Sequence, residues 1–154
     1  RNHLEFCHVL LRFPAAAAML LLTGCAGTKP AAVSGDWEIG LSLLTDSPTF
    51  YTRNQDGTTM GVIAMLGADG QPRLAYDTCQ VCMGSPYAYF DLHDGALVCE
   101  NCGNTFDYST VGADAGGCNP LPVGEYSVTE DSITIPASEL AANAAFFANW
   151  KKGA

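Results

Sequence analysis

The sequence predicts a small, mainly β domain that carries a four-cysteine hairpin and closes on a short helix. Three observations predict it. The first is a pair of Cys-x-x-Cys motifs, Cys79/Cys82 and Cys99/Cys102, separated by sixteen residues. The second is a series of short β-prone runs punctuated by Asp-Gly turns, in a chain with sixteen Gly and eight Pro. The third is the apolar spacing of Leu140, Ala144 and Phe147 near the end of the chain, which share one face of a helix.

The first 24 residues read as a leader. Arg1 and Arg12 flank its early part, and Pro14 is followed by a run from Ala15 to Leu22 that is too short to span a membrane and suits a signal sequence. Leu22-Thr23-Gly24-Cys25 then resembles the lipobox of bacterial lipoproteins. In such signals the peptide is cut before the cysteine, which is lipidated. Residues 1–24 are therefore expected to be a lipoprotein-type signal peptide, with Cys25 the lipidation site. Residues 25–35 are expected to form a short tether, and 36–154 the folded domain. Acyl chains contribute about 0.8 kcal/mol per buried methylene, so multiple chains would anchor the protein outside the cytoplasm.

Trp37-Glu38-Ile39 and Leu41-Ser42-Leu43 alternate as strands do, and Thr49-Phe50-Tyr51-Thr52 is β-prone. Asp56-Gly57 signals a turn before a strand from Met60 to Leu66. Ala68-Asp69-Gly70 turns the chain again, and Arg73 to Tyr76 leads into the first cysteine pair. Between the pairs, Tyr87 to Phe90 is strand-like, His93-Asp94-Gly95 is a turn, and Ala96-Leu97-Val98 returns to Cys99. Gly112 to Gly117 reads as a sharp backbone turn before Cys118. Tyr126 to Val128 and Ile133 to Ile135 flank Glu130-Asp131 as a last hairpin. Pro136 ends that strand, and Ser138 is placed to cap the final helix.

The C-x2-C-x16-C-x2-C spacing falls in the window of a four-thiolate metal site. A Cys-x-x-Cys turn aims two sulfurs and nearby backbone N–H groups at one point, and a hairpin brings back the second pair to complete a tetrahedron. The arrangement resembles the knuckle pairs of zinc ribbons and rubredoxins. Zinc, iron or an iron–sulfur centre, and disulfides all remain open from spacing alone. An odd count of five cysteines outside the leader and anchor weighs against a framework made only of disulfides. Cys118 is a candidate fifth ligand or a thiol beside the site. His93, the one histidine beyond the leader, reads as a solvated turn residue.

A formal net charge of −9 and a pI near 4.4 disfavour nucleic acid as a partner, since an acidic surface repels phosphate. No base, nucleophile and orienting group fall together, so nothing points to a hydrolase or transferase, and a carrier or metal-binding role is expected ahead of an enzymatic one. A thiol–disulfide oxidoreductase would need a βαβ pattern that the sequence lacks.

The run Ala75 to Cys82, the run Leu97 to Phe106, Val111-Gly112 and Gly116-Gly117-Cys118-Asn119-Pro120 together resemble the FtrD-like membrane iron–sulfur family. Phe50-Tyr51, the turn before Arg73, Ile133 to Pro136 and the Phe-rich helix are similar too, so the resemblance covers nearly all of the chain after the tether. It implies cofactor-binding roles for Cys79, Cys82, Cys99, Cys102 and Cys118, an iron or iron–sulfur cofactor in preference to zinc, and electron transfer in bacterial iron uptake. The partners it implies are an iron permease or a periplasmic or surface iron-binding protein. The rival expectation is a structural-zinc module that holds iron or a partner, for which Asp91, Asp94, Asp107 and Asp114 are the acidic candidates.

Overall fold

The computed structural model describes residues 31–113 and 116–152. Among them the chain is mainly β, as the sequence predicts, with one short helix near its C-terminus. The central sheet joins β2 (Thr49–Gln55), β3 (Thr58–Leu66), β4 (Pro72–Cys79) and β8 (Pro120–Pro122) in that order, all antiparallel. A second sheet joins β1 (Trp37–Gly40), β10 (Ser132–Ile135) and β9 (Ser127–Val128). A third joins β5 (Phe90–His93), β6 (Ala96–Cys99) and β7 (Thr105–Phe106). Helix α1 (Ala137–Asn143) runs on into a 3-10 turn at Ala144–Phe147.

The central sheet is covered on both faces, which explains why β3 is apolar at nearly every position. Side chains alternate across a strand. Met60, Val62 and Ala64 therefore join Leu74 and Tyr76 in one core, with Trp37, Ile39, Ile133, Ile135, Leu140, Phe147 and Trp150. Ile63, Met65 and Ala75 face the other way, into a second core with Phe90, Leu97, Phe106, Val111, Cys79 and Cys99. The second core is the cysteine side of the molecule. Strands of four, four and two residues cannot hold a sheet alone, so the third sheet relies on packing Phe90 and Leu97 against this face, each such side chain contributing about 1.5–3 kcal/mol.

Two of the three Asp-Gly turns form with both residues at positive φ. Asp56 and Gly57 have φ of 48° and 95°, and Asp94 and Gly95 have 50° and 81°. Positive φ at both central residues is the hairpin geometry whose twist matches the strands it joins. The last hairpin and the Leu140, Ala144 and Phe147 face also form as expected, with Leu140 and Phe147 fully inside.

Three local expectations are corrected. Leu41–Leu43 is a 3-10 turn and not a strand, because β10 ends its pairing at Ser132 opposite Gly40. Leu41 N–H then turns to Asp131 O (2.8 Å). Tyr87 to Tyr89 precede the strand, which starts at Phe90; the carbonyls of Ala88 and Tyr89 accept from Cys79 N–H (2.8 Å) and Glu100 N–H (2.9 Å) in the cysteine turns. Ser138 lies inside α1, and the free N–H of Ala137 is capped by the Asp36 carboxylate (2.8 Å), a residue remote in sequence.

Residues 1–30, with the expected leader and Cys25, lie outside the described residues. Of the segment expected to be a tether, the end is bonded to the domain. Val33 bridges Gln55, and the Arg53 guanidinium donates to the carbonyls of Ser34, Gly35 and Asp36 at 2.7–3.2 Å. Among the described residues no helix is long and apolar enough to cross a membrane.

The C-terminus locks onto β4. Trp150 Nε1 donates to Asp77 O (2.7 Å), and Lys152 Nζ sits 2.9 Å from Asp77 Oδ2 and 3.0 Å from Asp91 Oδ1. The ammonium also donates to the Phe90 carbonyl and lies 3.5 Å from the Phe50 ring centroid. Lys152→Ala leaves a carboxylate that is 2 % exposed without its counter-charge. A loss of about 3 kcal/mol is expected, read as a lower midpoint in urea unfolding. Gly112→Ala is expected to cost about 1–3 kcal/mol in the same assay, because φ is 76° and a Cβ would stand 2.6 Å from Leu74 O.

Candidate metal centre

Strand β4 ends at Cys79 and β6 ends at Cys99, so each sheet delivers the first cysteine of one pair. Both sit in the second core with no exposure. The chain then turns outward. Cys82 N–H donates to Cys79 O (3.1 Å) in one turn, and Gly103 N–H donates to Cys99 O (2.8 Å) in the other, where Gly103 has a φ of 71°. These turns carry Cys82 to a half-buried position and Cys102 to the surface.

The four sulfurs of Cys79, Cys82, Cys99 and Cys102 all lie within 4.8 Å of one another. The spacing in the sequence therefore becomes convergence in space. Backbone N–H groups surround the quartet. Val81 and Cys82 donate to the Cys79 sulfur, Asn101 and Cys102 to the Cys99 sulfur, and Asn104 to the Cys102 sulfur. The two turns are linked across their tips by Ser85 Oγ–H to Asn101 Oδ1 (2.5 Å).

Electrostatics divides the quartet. Burial drives the Cys79 thiol strongly upward and the Cys99 thiol up to about 11. Cys102 goes the other way, down to about 7, first because the Asn104 N–H stabilises its thiolate. The inner pair thus resists ionisation unless a cation replaces the protons, and the outer sulfur ionises near neutrality.

Cys118 stands outside the quartet but beside it. Its sulfur accepts from Asn104 Nδ2 (2.9 Å), and it is a hydrogen-bonding neighbour of Cys102. The glycine-rich loop that brings it there is fastened to the first cysteine turn. Gln80 Oε1 accepts from Gly116 N–H (2.8 Å), Gln80 N–H donates to Asn119 O (3.1 Å), and Pro120 pairs with Cys79.

Of the aromatics near the motif, Phe90 and Phe106 wall the inner sulfurs. Tyr87 is 57 % exposed, and Tyr89 packs edge-on against Trp150 with centroids 6.1 Å apart. His93 is exposed, 2.8 Å from Glu100 Oε1. Among the described residues the acidic candidates do not assemble into a second site. Asp91 pairs with Lys152, Asp107 caps a 3-10 turn through Ser109 N–H (2.9 Å), which holds its carboxyl low, and Asp94 forms a hairpin turn. Asp114 lies outside the described residues. Sequence reasoning overlooked Lys152 and Asp77, whose only signal is a lone acid two residues before the first cysteine.

In metal-free, reduced protein at pH 8, Cys102 is expected to alkylate first among the four and Cys79 last, with the Cys102 rate falling as pH drops below about 7. Bound metal is expected to protect the whole quartet. Mass mapping of the labelled peptides checks the order.

A search of curated proteins and a search of solved structures returned no match to this chain. A family model described as membrane iron–sulfur containing protein, FtrD-like, matches residues 44–147, from the end of the first 3-10 turn to the end of the last. That span contains the second core, most of the first and all five described cysteines, and by it the chain belongs to the FtrD-like membrane iron–sulfur family.

Proposed function

We propose that this protein is an extracytoplasmic, membrane-anchored electron carrier of iron uptake, built around iron held by Cys79, Cys82, Cys99 and Cys102. The family description supports iron chemistry at a membrane. The observation that carries the reading is the polarity of the quartet, with two sulfurs sealed in a core and one at the surface, all within 4.8 Å. The donor set fits a thiophilic metal, since sulfur ligands in tetrahedral array suit iron or zinc.

Bound iron would supply reversible one-electron exchange. The chain's own residues set the conditions for it. Phe90, Phe106 and Ile63 exclude water from the inner sulfurs. The N–H groups of Val81, Cys82, Asn101, Cys102 and Asn104 stabilise negative charge on sulfur and so favour the reduced state. Cys102 offers a partner the shortest covalent route to the centre. The partner is an iron permease or a surface iron-binding protein, and Cys25, if lipidated, would keep the domain at the same membrane. Cys118 is assigned a place beside the centre, where its thiol meets Asn104 and Cys102.

A second reading has an observation of its own. Cys79 and Cys99 are core residues, and the sheet they anchor has short strands. A structural zinc would then fold the third sheet, and function would lie on the surface, holding iron or a partner protein.

Protein purified anaerobically from its native source is expected to show a visible absorption that bleaches on reduction and returns on oxidation, and Cys99→Ser is expected to abolish it. A wild type that carries stoichiometric metal and stays colourless on oxidation would contradict electron transfer and favour the structural reading.

A further inference from the structure

We infer that the quartet holds a single metal ion with no inorganic sulfide, and that Cys118 is not among its ligands. The inference deepens the reading of the cysteines as a metal centre, and it stands whether the ion is iron or zinc.

The first observation is size. A tetrahedral ion with metal–sulfur bonds of about 2.3 Å needs sulfur–sulfur separations of about 3.8 Å. The four sulfurs already lie within 4.8 Å of one another. One ion therefore needs only a small inward adjustment. A cluster of two or four irons places bridging iron and sulfide between the cysteines and drives their sulfurs apart.

The second observation is that the inner sulfurs have no room to retreat. Cys79 and Cys99 are fully buried in a core with Ile63, Ala75, Phe90, Leu97 and Phe106. Both also end paired strands, Cys79 opposite Pro120 and Cys99 opposite Phe90. Close-packed cores resist outward displacement of this kind. The outer sulfurs are restrained too, since Ser85 and Asn101 fasten the two turns to each other at 2.5 Å.

The third observation concerns the fifth cysteine. Four sulfurs complete a tetrahedron, and Cys118 is absent from the set that converges. Its sulfur is instead taken up by Asn104 Nδ2 at 2.9 Å. The family description implies an iron–sulfur group. The spacing of these sulfurs fits iron bound by cysteine sulfur alone and does not fit a sulfide-bridged cluster.

The test measures metal, acid-labile sulfide and protein on the full chain purified anaerobically, with native mass spectrometry of the same sample. Metal-stripped protein is then reloaded with ferrous ion alone, or with ferrous ion plus sulfide. The expected result is one ion per chain, no sulfide, a mass gain of one ion, and full reloading by ferrous ion alone. Cys118→Ser is expected to keep that stoichiometry, and Cys99→Ser to lose it. Two or more irons with matching sulfide would overturn the inference and leave the electron-carrier reading intact. One zinc per chain would uphold the inference and remove that reading. Failure to bind any ion, or loss of metal in Cys118→Ser as complete as in Cys99→Ser, would overturn it.

Discussion

The cysteine quartet draws its members from two different sheets, and a buried carboxylate holds those sheets in register. Asp77 lies on β4, two residues before Cys79. Its Oδ1 accepts from the N–H of Phe90 (2.8 Å), and Phe90 pairs with Cys99. One side chain thus connects the strand that delivers the first cysteine to the hairpin that delivers the third. Burial pushes the Asp77 carboxyl up to about 6, even with the Lys152 ammonium beside it pulling the other way. A charge in such a place is tolerated only when its lone pairs are used. Phe90 N–H and Lys152 Nζ use them, and the Trp150 indole takes the backbone carbonyl of the same residue. The C-terminal segment is in this way part of the cysteine site, although it contributes no sulfur to it.

Two other features follow from the same geometry. The central sheet must pack on both faces, because the cysteine hairpin covers one and α1 with the outer sheet covers the other. Gly61 reflects that crowding, since a Cβ there would stand 2.7 Å from Trp150 and 2.9 Å from Asp77. The glycine-rich loop must then pass close to β4 to reach the first cysteine turn. Gly112 makes that approach, and Gln80 fastens the far end of the loop. The glycines before Cys118 are explained by this route, which brings the fifth thiol to the edge of the quartet without placing it inside.

Much of this was legible in the sequence because its signals are local. Two Asp-Gly pairs fixed two hairpins through the sign of φ. The Cys-x-x-Cys spacing announced a four-sulfur site, and the quartet converges as that spacing requires. The parts that were not legible depend on distant residues. Leu41 to Leu43 alternates like a strand, but its partner strand has already turned away. Ser138 suits a cap, but the capping bond comes from Asp36, 101 residues before Ala137. The Asp77–Lys152 pair spans 75 residues, and its one trace in a one-dimensional reading is a lone acid before the first cysteine. The division of the quartet into two inner sulfurs and a surface one also needed the fold, since both motifs have the same Cys-x-x-Cys spacing.

The first measurement to make is X-ray absorption at the metal edge, recorded on the full chain as isolated. A first shell of four sulfurs at about 2.3 Å, with no second metal nearby, is expected. A first shell dominated by oxygen or nitrogen would contradict the assignment of the quartet as the metal site. A neighbouring iron in the second shell would contradict a single-ion centre.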